Sequence, residues 1–217
     1  MKDVTFVLTS CGRIDLLKRT IDSFLKFNTY PIKDFIIIDD SADYNIFEEI
    51  TKLYNKDFLL IFNNEKLFQI KSIDTAYNNI DTEYIFHCED DWEFYRYGFI
   101  EESLSLLEYD DKIINVWLRN YKDTNGHLIS EKEFVFNDIF YKKVSTNWNG
   151  WGGFTFNPGL RRKRDYDLLK PYSKFNQKGI KYCPEFEISQ EYAKLNYYSV
   201  ILRNDSVKHI GWTQHIN

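Results

Sequence analysis

The three cysteines, Cys11, Cys88 and Cys183, stand far apart. There is no CxxC pair and no Cys/His spacing of the kind that holds zinc, so a structural metal knuckle or a dithiol redox motif is excluded. An odd count suits reduced thiols, packed as small hydrophobes. No apolar run approaches the roughly 20 residues needed to span a bilayer. Met1-Lys2-Asp3-Val4 leads directly into a strand-like run, without the apolar stretch or cleavage site of a signal peptide, and a cytosolic location is the expectation. Basic charge is not in excess either: 28 Lys and Arg face 33 Asp and Glu, a net charge of −5. That balance argues against a nucleic-acid partner, which needs a basic face for the phosphates. No glycine-rich GxGxxG or GxxxxGK loop follows the first apolar run, which sets aside dinucleotide oxidoreductases and P-loop enzymes. Repeats, low-complexity linkers and composition breaks are absent, so the 217 residues are expected to form one domain.

What the chain has in abundance is aromatic residues, 18% of the total. Such rings fill cores, and tyrosine and tryptophan also line sites for polar, ring-shaped ligands. The first half alternates apolar strands with helical spacing. Strands are expected at Val4–Thr9, Phe35–Ile38, Phe58–Phe62, Tyr84–Cys88 and Ile113–Leu118. Helices are expected between them, on the periodicity of Leu16, Leu17, Ile21, Phe24 and Leu25, and again around Ile46–Leu53, Ile73–Tyr77 and Phe99–Leu107. Continuous apolar strands separated by helices mean a mostly parallel sheet covered on both faces. Beyond Leu118 the pattern predicts a hairpin or two edge strands within about 131–145 and a loop rich in glycine and tryptophan at 148–153. A short strand at Phe154–Phe156, a basic helix over 161–170, a second helix over 185–195 and a last strand at 198–202 follow.

In open parallel sheets, ligands lie beyond the carboxyl ends of the strands. Three of those ends carry polar groups: Thr9-Ser10, Asp39-Asp40 and Glu89-Asp90-Asp91. Thr9, Ser10, Asp39, Asp40 and Asp90 are therefore candidate ligand contacts. An acid at the second strand end can accept from a base N–H or a ribose hydroxyl, or close an Asx-turn with Ser41 and Asp43. Adjacent carboxylates repel unless a cation lies between them. A hard divalent ion, Mg²⁺ or Mn²⁺, carrying a diphosphate is the natural partner for Glu89 and Asp91. The competing explanation is acids at a helix start, favoured by the dipole.

In combination these segments resemble the family 2-type glycosyltransferases of the GT-A fold. Thr5 to Arg13 is similar to their opening strand and turn, Ile36 to Ser41 to their second strand with its nucleotide-contacting aspartate, and Tyr84 to Asp91 to their fourth strand and DxD motif. Glu replaces the first acid of that motif, leaving Asp91 as the best metal ligand. The resemblance implies a GT-A α/β domain. A donor half would span about 1–118 and an acceptor half about 119–217. It also implies an inverting, metal-dependent transfer from a nucleoside diphosphate sugar, most readily a UDP-sugar, to a glycan, lipid-linked or protein-linked acceptor. Thr9 and Arg13 fall where base and ribose are held, and Lys71 where a basic donor contact often stands, although a solvated helix face is an equal reading. Pro184-Glu185-Phe186-Glu187 matches the acidic motif that supplies the catalytic base, with the choice between Glu185 and Glu187 open. His209 corresponds to a late histidine that completes the metal or phosphate site; Lys208 and His215 stand near it.

Trp148, Trp151 and Trp212 are candidate platforms for a sugar ring, with core filling the alternative for at least one of them. The basic run Arg161-Arg162-Lys163-Arg164 suits an anionic acceptor or, more simply, a solvated helix face. His87 reads as packing, and His127 suggests no role. The aromatics of the second half would permit a homodimer. Two other functions fit parts of the pattern. A sugar nucleotidyltransferase would want a glycine-rich basic loop after the first strand, and Thr9 to Arg13 has one glycine and one arginine. A non-catalytic carbohydrate-binding domain would need neither the acidic triplet nor Glu185.

Overall fold

The computed structural model describes residues 1–145, 151–175 and 184–212. Eleven strands and six α-helices occur among them, in the order β1 (Val4–Ser10), α1 (Ile14–Phe27), β2 (Asp34–Asp39), α2 (Tyr44–Tyr54), β3 (Leu59–Phe62), α3 (Phe68–Tyr77), β4 (Tyr84–Glu89), β5 (Trp92–Phe94), α4 (Phe99–Tyr109), β6 (Ile113–Trp117), β7 (Ile129–Phe136), β8 (Ile139–Val144), β9 (Gly159–Arg162), α5 (Lys163–Leu169), α6 (Pro184–Lys194), β10 (Tyr198–Leu202) and β11 (Val207–His209).

The main sheet runs β3-β2-β1-β4-β9. Its first four strands are parallel, and β9 is antiparallel to β4. β1 is buried along its whole length, as an apolar strand covered on both faces must be. The chain winds outward from β1 to β3 and then returns to place β4 on the other side of β1. The order therefore reverses between β1 and β4, and a crevice opens there at the carboxyl ends. The register sets Thr9 opposite Glu89 at the mouth of that crevice. On one face of the sheet α1 buries Leu17, Ile21 and Phe24 against Phe6, Phe86 and Phe94. On the other face Ile70, Ile73 and Tyr77 of α3 meet Val7, Ile36 and Ile85, with Ile188 and Tyr192 of α6 completing the layer.

A second sheet runs β6-β10-β8-β7. β7 and β8 form the expected hairpin. Its turn residues Asn137 and Asp138 both have positive φ, as a two-residue hairpin loop of this hand requires. A third, two-stranded ribbon pairs β5 with β11 and sets His209 opposite Trp92.

Four expectations are corrected. Ile113–Trp117 is a strand, but it pairs with β10 in the second sheet rather than extending the first. Phe154–Phe156 is irregular, and the strand begins at Gly159. The helix starts at Lys163, so Arg161 and Arg162 are strand residues, each only 2% exposed. Neither is a solvated surface charge. Arg162 donates to the carbonyls of Leu107, Asp110 and Ile113 and to Asp165 Oδ2, collecting orphan acceptors at the end of α4. Arg161 donates to Thr155 O and lies against the rings of both Phe154 and Phe156. A basic run reads as surface in the sequence because nothing local announces the carbonyls that will receive it. Finally, Tyr198–Leu202 is not the last strand, since Val207–His209 follows it. No helix among the described residues is long and apolar enough to cross a membrane.

Candidate active site

The site forms where β1 and β4 end side by side. Ser10 Oγ donates to Asp90 Oδ2 at 2.9 Å, and the Cys11 amide points at the same oxygen. The turn that follows needs Gly12. Its φ is +76° and its amide donates to Asp39 Oδ2 at 3.0 Å. This turn delivers Arg13, whose guanidinium spans two neighbouring carboxylates. Nε and Nη2 face Asp90, and Nη1 lies 2.9 Å from Asp91 Oδ2.

At the end of β2 the two aspartates have distinct local partners. Asp39 Oδ1 accepts from the Ser41 amide at 3.1 Å, and Asp43 caps α2 through the Asn45 amide. Asp40 is buried and accepts from the amides of Leu67 and Phe68, each at 2.8 Å, and from Asn63 Nδ2. The Asx-turn expected at Asp39-Asp40 is therefore present, and Asp39 stands opposite Ser10 at the end of β1. Thr9 is buried beside them.

The acidic triplet is tied down from several sides. Thr20 Oγ1 on α1 donates to the Asp90 carbonyl and receives the Trp92 amide, so the first helix fixes the chain just beyond β4. Glu89 accepts from Gln69 Nε2 at 2.6 Å and from the Trp92 indole at 3.3 Å. Burial, with Asp91 and Glu185 adding negative charge, pushes the Glu89 carboxyl up to about 8. Burial also lifts Asp90, to about 6, against the pull of Arg13. For Asp91 burial works in the same direction, but hydrogen bonds and charge from His209 and Arg13 outweigh it, and its carboxyl lies below the ordinary range.

His209 reaches this cluster through the β5–β11 ribbon. Its Nε2 lies 3.2 Å from Asp91 Oδ2, its ring packs on Trp92, and the Ile210 amide donates to the Asp91 carbonyl. Glu185, in the first turn of α6, comes from the other side. It accepts from the Phe156 amide at 2.5 Å and from Thr155 Oγ1 at 3.1 Å, and its charge acts on Glu89. Glu187 is half-buried in the same turn.

Lys71 is exposed on α3, the helix whose Gln69 contacts Glu89. Trp151 is corrected from sugar platform to core: it is buried against Trp117, Val144 and Ile201, and the His127 ring stacks on it at 4.0 Å. His127, without a role in the sequence reading, is that packing partner. Trp212 is 56% exposed with its ring against His209, so it stands at the site with a face open to solvent. His87 is fully buried between Tyr77 and Phe156, as packing requires. Trp148, Cys183 and His215 lie outside the described residues. Sequence reasoning missed Gln69, Thr20 and the Trp92 indole. None of the three carries a motif, and each is found only by tracing what holds Glu89 and Asp90.

Among the described residues no group of three or more His, Cys, Asp and Glu side chains forms a metal cage. Asp91 Oδ1, however, is buried without a hydrogen-bond partner, and His209 stands beside the same carboxyl. One or two hard protein donors with room for phosphate oxygens is how Mg²⁺ and Mn²⁺ are held with a nucleotide, so these residues fit such an ion.

A family model described as glycosyl transferase family 2 matches residues 5–169. Among curated proteins none matches the sequence. The solved structures that share the fold include the following two. One is the mannosyltransferase PcManGT from Pyrobaculum calidifontis in complex with GDP-Man and Mn²⁺, at 11% identity and a TM-score of 0.69, covering 99% of this chain and 60% of that one. The other is GalNAc-T7 with UDP, GalNAc and Mn²⁺, at 13% identity and a TM-score of 0.68, covering all of this chain and 45% of that one. The chain thus spans about half the length of these neighbours, and what it shares with them is the GT-A arrangement.

Proposed function

The chain belongs to glycosyl transferase family 2, and from that premise we propose that it is a metal-dependent, inverting transferase moving a sugar from a nucleoside diphosphate sugar to an acceptor hydroxyl. The observation that carries the reading is the acidic triplet at the end of β4, where Asp91 keeps a buried oxygen without a hydrogen-bond partner and His209 stands 3.2 Å from its other oxygen. Four carboxyl groups are gathered at one end of a sheet whose strand order opens a ligand crevice there. A pure binding domain gains nothing from that charge density, whereas a metal-diphosphate and a base both need it.

In this reading the diphosphate lies over the ends of β1 and β4. Thr9, Ser10 and Arg13 line its near side. Asp39 and Asp40 shape the loops that receive base and ribose. Asp91, with His209 and Glu89 beside it, would hold Mn²⁺ or Mg²⁺, and such an ion would supply Lewis-acid stabilisation of the departing diphosphate. Glu185 takes the proton from the acceptor hydroxyl as its oxygen attacks the anomeric carbon. The Phe156 amide and Thr155 hydroxyl hold one carboxylate oxygen and so fix the direction of the group. Glu187, in the same turn, is the alternative base. A direct displacement of this kind inverts the anomeric centre. Residues from about 1 to 118 serve the donor, and those from about 119 to 217 serve the acceptor.

The donor we carry forward is a UDP-sugar. A GDP-sugar is the second reading, favoured by the GDP-Man bound to one structural neighbour. The acceptor is a hydroxyl of a glycan, a lipid-linked sugar or a protein-linked sugar. Calorimetric titration with UDP, GDP and dTDP, each with and without Mn²⁺, tests the donor site and names the base. Binding of one nucleotide that requires the metal supports the reading; absence of binding by all three removes it.

A further inference from the structure

We propose that Arg13 is the resident cation of the acidic triplet and that it couples metal binding to diphosphate binding. The proposal rests on the metal site assigned above to Asp91. A single guanidinium faces both carboxylates, with Nε and Nη2 on Asp90 and Nη1 on Asp91. The Arg13 side chain is 18% exposed and Asp90 is 1% exposed, so this is not a solvent-screened surface pair. Two adjacent carboxylates removed from water cannot both be charged without a cation against them, and Arg13 supplies it.

The same geometry makes Arg13 a competitor. A divalent ion at Asp91 would share its carboxylate with a guanidinium already 2.9 Å from Oδ2, and two cations on one carboxylate in a low-dielectric crevice repel each other. Metal alone therefore binds against Arg13. A diphosphate changes the balance because its oxygens match the planar fork of arginine and draw the guanidinium off Asp91. Only Nη1 has to leave Asp91: Nε and Nη2 can stay on Asp90, whose Oδ2 also receives Ser10 Oγ and the Cys11 amide. The move needs no change of fold. Arg13 is the residue that precedes α1, on the turn at the mouth of the β1–β4 crevice, and a side-chain rotation is sufficient. Arg13 thus acts as a positioning residue that holds the empty carboxylates in place and yields one of them to the metal only when the diphosphate arrives.

The test is Mn²⁺ binding read by electron paramagnetic resonance, with and without saturating UDP or GDP. The proteins are the wild type, Arg13→Lys, and the double variant Arg13→Met/Asp90→Asn, which keeps the local net charge constant and leaves no unpaired buried aspartate at position 90. In the wild type, nucleotide is expected to tighten Mn²⁺ about tenfold or more, within the usual range of coupling between two sites. In the double variant, Mn²⁺ alone should bind about tenfold more tightly than to the wild type, and the nucleotide effect should shrink. Arg13→Lys, with a point charge in place of the fork, should fall between. Equal affinity for Mn²⁺ alone in all three proteins, with nucleotide-dependent binding intact, overturns the role of Arg13 and leaves the metal site standing. Absence of Mn²⁺ binding in all three proteins with either nucleotide removes the metal site itself, and this proposal with it.

Discussion

A β-carbon added to Gly211 would lie 2.6 Å from Asp91 Oδ2 and 2.7 Å from its Cβ. The chain after β11 therefore passes against the candidate metal ligand with no room for a side chain, and the Ile210 amide bonded to the Asp91 carbonyl holds it there. Gly211→Ala must push one of the two apart. Overpacking of this kind costs about 1–3 kcal/mol. The expected result is a lowered melting temperature together with weaker Mn²⁺-dependent nucleotide binding. A variant that keeps full nucleotide affinity while losing stability would show that the contact only packs the tail.

Asp91 itself is the sharper probe. Its Oδ1 is buried without a hydrogen-bond partner. Asp91→Ala should reduce metal-dependent binding of the cognate nucleotide by about a hundredfold or more, since even residues that only support a ligand cost 10–100-fold. Chelation of the wild type with EDTA should reproduce the loss. Calorimetry at matched ionic strength reads both, and unchanged affinity in Asp91→Ala would move the metal elsewhere.

The two described tryptophans considered as sugar platforms should separate cleanly. Trp151 is buried under His127 and beside Trp117, and truncation to alanine should cost about 3–5 kcal/mol of stability, as for other large core aromatics. Trp212 is largely exposed against His209, and Trp212→Ala should leave the denaturation midpoint nearly unchanged while weakening retention of sugar ligands. Urea denaturation of both variants, beside a glycan-binding assay, distinguishes core from platform; a stable Trp151→Ala would contradict the packing assignment.

Much of this was legible in the chain because apolar strands and acidic strand ends are local signals. The runs ending at Ser10, Asp39 and Glu89 could be placed from periodicity alone, and the rule for open sheets then brought Thr9, Asp39 and Glu89 to one edge. What stayed hidden depends on partners distant in sequence. Arg161 and Arg162 read as a solvated helix because the carbonyls of Thr155, Leu107 and Asp110 that receive them leave no pattern. Val207–His209 is too short to announce itself as a strand and exists through its pairing with Trp92–Phe94. Gln69, bonded to Glu89 across 20 residues, belongs to no motif. Trp151 had the right composition for a platform, but whether an aromatic face is open or covered is a tertiary fact.

Arg162 gives a stability test of the buried-arginine assignment. It serves the carbonyls of Leu107, Asp110 and Ile113 and pairs with Asp165, both side chains being 2% exposed. Arg162→Met leaves these carbonyls without their arginine donor and a buried carboxylate with only the Tyr197 hydroxyl, and removing one partner of a buried pair costs roughly 3–5 kcal/mol. The double variant Arg162→Met/Asp165→Asn should recover part of that loss, because the stranded charge is gone. A melting temperature within a degree of wild type for the single variant would return Arg162 to the surface role its sequence suggested.

Glu185 carries the most demanding prediction, because its position makes a structural effect and a catalytic one easy to confuse. One carboxylate oxygen accepts from the Phe156 amide and the Thr155 hydroxyl, so removing the side chain would also loosen the irregular segment that leads into β9. Glu185→Gln keeps an acceptor oxygen for both donors and removes only the basicity. If Glu185 takes the acceptor proton, kcat should fall by about 10²–10⁴, the usual contribution of a positioned base, while Kd for the nucleotide with Mn²⁺ stays within twofold. Glu187→Gln, in the same turn, should change kcat far less. The reverse ranking would make Glu187 the base. Equal and small effects in both variants would mean that neither carboxylate takes the proton, and that Glu185 is there to hold the segment before β9.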